Sequence, residues 1–405
     1  MVEGDTTVHG PWLIDGPEGD ESPFFLECIS KWSKEGKWFK LNIDQTGFFR
    51  VAYTNEQWRR LKTALAPGGQ LSASDRLGLI SDSFAAGRAS YTSIVDSLRL
   101  VEDFGQHEMA GECCPFLSSS SSSNCRMRGT SRVCLPEYAV WQELSVNIGD
   151  LLSLYRSESF FPKFQEFTRK IYARQLERLG WDARPSEPQR SGTLRAAIIS
   201  VLSTSGDKSV LNEALMRFYG FINNGDPIPS DLRGIVLKAA MRCDEDRVYP
   251  ALKQWYEKSR FPEEQRSCLA VLGSVKDPKR HAEMLDYVLF SPKVRSQDIM
   301  YPLNSLSSSS DEGGRACWRY FKDNFGLISS KFEGGPMWKI CAGLLCRGLR
   351  TLEEADDVEG FFAKLPRGAG SGEQRVRQAL EGIRARALRL EREREPVQEF
   401  LGGLE

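Results

Sequence analysis

From the N-terminus to about Tyr53, apolar and polar positions follow a strand-like pattern. Pro23-Phe24-Phe25-Leu26-Glu27-Cys28 is a short apolar run, and Trp38-Phe39-Lys40-Leu41-Asn42-Ile43 alternates roughly. Gly47-Phe48-Phe49-Arg50-Val51-Ala52-Tyr53 repeats the pattern after a turn at Asp44-Gln45-Thr46-Gly47. Aromatic and β-branched segments joined by a short Gly-containing loop predict a hairpin. A lone hairpin is marginal in water because two or three strands cannot bury both faces. Residues 1–53 therefore read as a partial β-sandwich, the tail of a sheet whose other strands are missing.

From Thr54 the period becomes helical. Thr54-Asn55-Glu56-Gln57 has the capping-box pattern, and Trp58, Leu61 and Leu65 then share one face. Ser74-Asp75 is expected to cap a second helix carrying Leu77, Ile80, Phe84 and Ala85, with Gly87 as its stop. Tyr91, Ile94, Leu98 and Val101 mark a third. Helix follows helix to the C-terminus, broken at Gly180, Gly225-Asp226-Pro227, Phe261-Pro262, Asp277-Pro278, Ser291-Pro292 and Gly334-Gly335-Pro336. Helix lengths of about 10–15 residues give roughly 14 to 16 helices over residues 54–405. Short-looped helix pairs stack as α-solenoids. The predicted fold class is thus mainly α, a HEAT/armadillo-like solenoid preceded by a short β-sandwich remnant.

Three segments depart from the helical grammar, and a fourth is helical but unusually rich in charge. Residues 106–136 hold Cys113-Cys114-Pro115 and six consecutive serines, Ser118 to Ser123, and read as a disordered insertion. Ser305 to Gly314 reads as a shorter polar loop, and Pro366 to Gly372 as a flexible one. Arg375 to Arg394 reads as a solvated helix laced by i,i+4 pairs.

Charge and composition narrow the function. The chain has 405 residues, with 54 basic and 55 acidic side chains and a formal net charge of -1. No single-sign field exists to draw nucleic acid or a membrane surface, so neither is an expected partner. No apolar run reaches 18 residues, and the acidic start Met1-Val2-Glu3-Gly4-Asp5 resembles neither a signal nor a transit peptide. Most of the ten cysteines outside residues 106–136 sit among apolar helical neighbours, as Cys341 and Cys346 do, which fits reduced core thiols and a cytoplasmic location. Cys113, Cys114, Cys125 and Cys134 lack the paired spacing of a structural zinc site.

Catalytic chemistry is not visible. The three histidines, His9, His107 and His281, are far apart, whereas a helical zinc-hydrolase site needs two of them four residues apart with a Glu between. His281, on a helix without a partner, is expected at the surface. No P-loop or dinucleotide fingerprint is present. No catalytic residue, metal ligand or cofactor is therefore assigned to this chain.

Several motifs nonetheless occur in a recognisable order. Trp38-Phe39-Lys40-Leu41-Asn42 followed by Gly47 to Tyr53 resembles the last strands of the third domain of puromycin-sensitive-type zinc aminopeptidases, W-x-K-L-N then G-[FY]-[YF]-R-x-x-Y. Asp75 to Asp82 is similar to the D-R-x-x-L-x-x-D helix that opens domain four. Tyr138-Ala139-Val140-Trp141, Arg178-Leu179-Gly180-Trp181, Val294-Arg295-Ser296-Gln297-Asp298 and Trp318 to Phe325 resemble later motifs of the same domain. The resemblance covers nearly the whole chain except residues 106–136.

It implies the C-terminal region of such an enzyme, with an endoplasmic-reticulum-aminopeptidase-like C-terminal domain. The family's zinc and catalytic motifs belong to a preceding domain that this sequence lacks, so the chain reads as a fragment or a stand-alone domain. Either way it should be inactive alone. In the family the solenoid closes over the catalytic domain, encloses the active-site chamber and helps to bind peptides. The implied partners are peptides and that catalytic domain. Gly334 to Lys339 resembles the stretch that approaches the substrate pocket, which makes Trp338 and Lys339 candidate peptide contacts. The competing expectation is a free-standing helical-repeat scaffold that binds proteins or peptides. Finally, Trp12, Phe24, Phe25, Trp32, Trp38, Phe39, Phe48 and Phe49 are expected to form an exposed aromatic patch.

Overall fold

The computed structural model of the chain describes residues 14–15, 20–21, 23–65, 71–110, 135–185, 187–332, 335–365 and 373–404. These residues are mainly helical. Helices α1 (Pro23–Lys34), α2 (Asn55–Ala64), α3 (Ala73–Arg88), α4 (Ile94–Ala110), α5 (Leu135–Leu154) and α6 (Phe161–Leu179) come first. Then follow α7 (Gln189–Thr204), α8 (Lys208–Asn224), α9 (Ser230–Cys243), α10 (Glu245–Lys258), α11 (Pro262–Leu272) and α12 (Pro278–Phe290). The last six are α13 (Met300–Ser309), α14 (Asp311–Asp323), α15 (Phe325–Phe332), α16 (Pro336–Cys346), α17 (Leu352–Ala363) and α18 (Glu373–Gly402). Among the described residues none of these helices is long and apolar enough to cross a membrane.

The chain divides into two compact units. The first comprises residues up to Ile148, Lys170–Ile198 and Gly402–Glu405; the second comprises Gly149–Arg169 and Ile199–Leu401.

In the first unit the β reading of the N-terminus needs correction. Pro23 to Cys28, expected as a strand, opens α1. Pro at the first position is compatible with a helix start, and the run continues at helical spacing to the buried Trp32. The strand pairing described in this region is the two-residue antiparallel bridge of Ile14–Asp15 with Asp20–Glu21. Residues 38–53 run without a regular strand and instead dock on α3. Asn42 adopts a left-handed conformation, as do Asp44 and Gln45. The Asn42 side chain does the work of a ladder: its Nδ2 donates to the carbonyls of Gly47 and Phe49, and its Oδ1 accepts from Gly47 N. Val51 N donates to Asp82 and Asp44 N to Asp75, both on α3. Trp32, Trp38 and Phe39 are buried while Phe48 and Phe49 are exposed, so of the five described rings of the expected aromatic patch two are at the surface; the side chains of Trp12, Phe24 and Phe25 lie outside those described.

The caps are shifted from expectation. Thr54 accepts from Gln57 N, but the Gln57 amide donates to Phe39 O instead of reaching back. Ser72, not Ser74, caps α3, in a capping box with Asp75. The Tyr138–Trp141 motif supplies the core of this unit: the fully buried Trp141 ring meets Tyr172 edge-on at 5.3 Å. Gln106–Ala110 form the end of α4 and Leu135-Pro136 open α5; the rest of the expected insertion, 111–134, lies outside the described residues, as does the loop expected at 366–372.

In the second unit packing is local in sequence. Helix α8 lies against α9, α9 against α10 and α11, and α11 against α13, which also meets α14 and α16. Among the described residues seventeen α-helices follow Thr54, more than expected. One reason is Ser305 to Gly314, which is not a loop: α13 runs to Ser309, and Ser310 caps α14. The hydroxyls of Ser307 and Ser308 bond back to Asn304 O, and Ser309 to Leu306 O, which satisfies serine inside a helix. Small side chains here serve close packing. A methyl group added at Gly273 would lie 2.2 Å from Pro302 O, and one at Gly348 2.0 Å from Ser307 O. Helix α13 is thus gripped by neighbouring backbone on two sides.

Helix α18 is likewise less solvated than its sequence suggests. Its arginines reach other elements as well as each other's partners: Arg384 pairs with Glu359, Arg389 with Asp150 and Arg394 with Glu158. Glu393 is buried and accepts from Tyr155 Oη at 2.6 Å and Arg389 Nε at 2.8 Å.

Candidate functional site

The second unit contains a cavity of about 540 Å³. Helices α5, α6, α9 and α13 contribute to its wall, together with the turns after α7 and α11. Its lining is polar and basic. Hydroxyls come from α5, α7 and the serine-rich α13. Four cations, Arg156, Lys238, Arg242 and Lys276, face one lining carboxylate, Asp311.

That carboxylate is already engaged. Arg156 Nε donates to Asp311 Oδ1 at 2.7 Å, Arg350 Nη1 donates at 3.0 Å, and the Ser157 hydroxyl also bonds to it. Burial opposes its charge, yet Ser157 and the Arg350 and Arg156 guanidiniums together hold the Asp311 carboxyl below the usual range.

The other three cations form a separate group. Lys238 and Arg242 are four residues apart on α9 and so share one face. Lys276 enters from the turn between α11 and α12. Arg242 Nη1 donates to Ser203 Oγ at 2.7 Å, and no carboxylate lies within ion-pair distance of Lys238, Arg242 or Lys276 among the described residues. All three residues are exposed and line the cavity, yet its walls take part of the solvent from their charged ends. Desolvation lowers the affinity of all three groups for their protons, and the Arg242 charge lowers it further at Lys238 and Lys276. Like charges held together in a concave, partly desolvated wall raise the local potential for an anion.

Sequence reading missed this group. The available signal was Lys238 and Arg242 at i,i+4 with no acidic residue three or four positions from Lys238. The residues it did single out lie elsewhere. Trp338 is only 2% exposed, its ring 5.6 Å from Phe325 and 6.0 Å from Phe321. Lys339 is exposed, and neither residue lines the basic cavity.

Among the described residues no three His, Cys, Asp or Glu side chains converge as a metal site requires. His281, expected at the surface, is buried. Its Nε2 lies 3.3 Å from Val275 O, and its Nδ1 has no hydrogen-bond partner. His9 lies outside the described residues.

Comparison with known proteins gives these features a setting. A family model described as the ERAP1-like C-terminal domain matches residues 38–110 and 134–385. The chain is similar to aminopeptidase M1-A of Oryza sativa subsp. japonica, 28% identical over 385 residues, 93% of this chain and 39% of the relative. It is similar to the alanine/arginine aminopeptidase of Saccharomyces cerevisiae, 24% identical over 407 residues, 98% of this chain and 43% of the relative. It is also similar to aminopeptidase M1 of Arabidopsis thaliana, 26% identical over 355 residues, 86% of this chain and 37% of the relative. The chain therefore spans about 40% of the length of the curated relatives it matches.

Proposed function

Because the chain belongs to the ERAP1-like C-terminal domain family, we propose that it is the non-catalytic C-terminal region of a zinc aminopeptidase, and that its basic cavity holds the carboxylate end of a peptide substrate. In this reading the neighbour-to-neighbour helix contacts build a HEAT-like solenoid that encloses the active-site chamber of a catalytic domain. A cytoplasmic setting belongs to the same proposal. Zinc, in the same proposal, belongs to that catalytic domain.

The observation that carries the reading is the Lys238, Arg242 and Lys276 group, which lacks any ion-paired carboxylate of its own. A peptide's terminal carboxylate is a compact anion that such a group stabilises by charge-assisted hydrogen bonds. Ser310 lines the same cavity, and its hydroxyl, which accepts from Gly313 N, keeps its own proton to donate. Lys339, exposed at the start of α16, provides an additional contact along the peptide, while Trp338 acts by holding that helix in place.

The test is binding of a labelled peptide of about ten residues to the whole chain. The free acid should bind about tenfold more tightly than its C-terminal amide, the equivalent of one charge contact of ~1.4 kcal/mol. Lys238→Gln with Arg242→Gln should abolish the difference, and raising the salt concentration should shrink it. Equal affinity for acid and amide in the unaltered protein overturns the assignment.

A second expectation concerns chemistry. The chain alone should neither turn over aminoacyl fluorogenic substrates nor retain stoichiometric zinc, since it shows no ligand pair with an intervening base. Elemental analysis giving one tightly held zinc per chain, together with turnover, contradicts this.

A further inference from the structure

Beside the basic cavity lies a smaller one of about 210 Å³, between the ends of α5 and α13, the turn before α17 and the middle of α18. Five guanidiniums line it: Arg156, Arg347, Arg350, Arg386 and Arg389. Its lining has a single carboxylate, Asp150.

The five arginines are not equally neutralised. Arg156 and Arg350 share Asp311. Arg389 pairs with Asp150 at 2.7 Å and with Glu393 at 2.8 Å. Arg347 and Arg386 have no carboxylate within ion-pair distance among the described residues. Arg347 Nη1 donates to Asn304 Oδ1 at 2.9 Å, and Arg386 Nη2 donates to the carbonyls of Leu349 and Arg347. These contacts orient the two side chains without cancelling their charge. Two positive charges thus stand uncompensated at one cavity. The Arg389 Nη2 group is, in addition, buried without a hydrogen-bond partner.

We infer that this arginine-lined cavity is a binding site for a phosphate-class dianion. Guanidinium forks match phosphoryl oxygens in pairs, which single ammonium groups cannot do. The space is several times the ~30 Å³ that one water occupies in the liquid, room for a tetrahedral oxyanion with part of its hydration. Ser153 stands in the same wall as a further donor. The vacant donors of Arg389 and the two charges on Arg347 and Arg386 are what such an anion would satisfy. Burial, with the like charges of Arg350, Arg347 and Arg156, also holds Arg386 down to about 10, still charged at neutral pH. A bound dianion relieves that repulsion. It also ties α18 to α5 and to the turn before α17, so occupancy stabilises the second unit.

The experiment is calorimetric titration and thermal unfolding of the full chain with inorganic phosphate at constant ionic strength, chloride serving as the balancing ion. One saturable phosphate per chain is expected, with a rise in the unfolding midpoint. Arg347→Gln and Arg386→Gln should each weaken binding at least about tenfold, while Arg260→Gln, exposed just past the end of α10 and not part of the cavity lining, should not change it. Arg347 is exposed and its substitution is compatible with folding, so that variant decides the matter if Arg386→Gln fails to fold. A parallel titration with glycerol 2-phosphate separates the sources: tighter binding than inorganic phosphate identifies a phosphomonoester, weaker binding the free ion, and either upholds the site. Absence of saturable phosphate binding, or unchanged affinity in folded Arg347→Gln, overturns it.

Discussion

Replacing Asp75 with alanine should destabilise the first unit by about 3–5 kcal/mol, the cost of leaving one partner of a buried ion pair uncompensated. The Asp75 side chain is fully buried, and its Oδ1 lies 3.0 Å from Nζ of Lys40, itself only 2% exposed. The same carboxylate accepts from Asp44 N at 2.8 Å, from the Ser72 hydroxyl at 2.9 Å and from Ser72 N at 3.3 Å. Removing it strips the cap of α3 and unfastens residues 38–53 in one step. Lys40 keeps its bonds to the carbonyls of Leu41 and Asn42, which carry no charge to offset its own. Denaturant unfolding followed by circular dichroism measures the loss. Pairing Asp75→Ala with Lys40→Met should cost less than the two changes summed, by roughly 0.5–3 kcal/mol. Strict additivity would show that the two groups do not depend on each other.

Trp338→Ala should cost the second unit about 3–5 kcal/mol, the range for deleting a large aromatic side chain from a packed core. The indole sits in a cluster with Phe321, Phe325, Phe361 and Phe362, with ring centroids 5.5 to 6.0 Å apart for the pairs Phe325–Phe361, Phe321–Phe362 and Phe321–Trp338. Trp318 closes the cluster from α14, its Nε1 donating to Asp357 Oδ2 at 2.6 Å. Trp338→Phe keeps most of the volume and should lose less than about 1.5 kcal/mol. The pair of variants separates packing from ligand contact. If Trp338→Phe keeps stability but weakens peptide binding while Lys339→Ala does not, the ring touches the peptide and its placement in the core is not the whole account.

Much of the helical architecture was legible because it is written locally. Trp58, Leu61 and Leu65, or Leu98 and Val101, announce their faces at helical spacing, and Thr54 announces the cap of α2. What misled is equally specific. Pro23 to Cys28 carries aromatic and apolar residues at every position, and such a run fits strand and helix alike until its continuation to Trp32 is weighed. Ser305 to Gly314 has loop composition, but its serines bond within the helix and its glycines admit close neighbours, facts that depend on packing. The W-x-K-L-N motif was visible, whereas the reason for its lysine, the buried Asp75, lies on another element. The basic cavity was missed for the same cause. Lys238 and Arg242 look like a solvated helix face, and only the approach of Lys276 from a distant turn turns them into a site.

The way α13 is gripped has a genetic consequence. At Gly78 an added methyl would meet only the side chain of Gln45, at 1.6 Å. Such a clash can be relieved by a second mutation, and Gln45→Ala should rescue Gly78→Ala. At Gly273 and Gly348 the obstacles are the carbonyls of Pro302 and Ser307. No substitution shortens a carbonyl. Selection for intragenic suppressors should therefore recover partners for Gly78→Ala and, for Gly273→Ala and Gly348→Ala, only reversion to glycine.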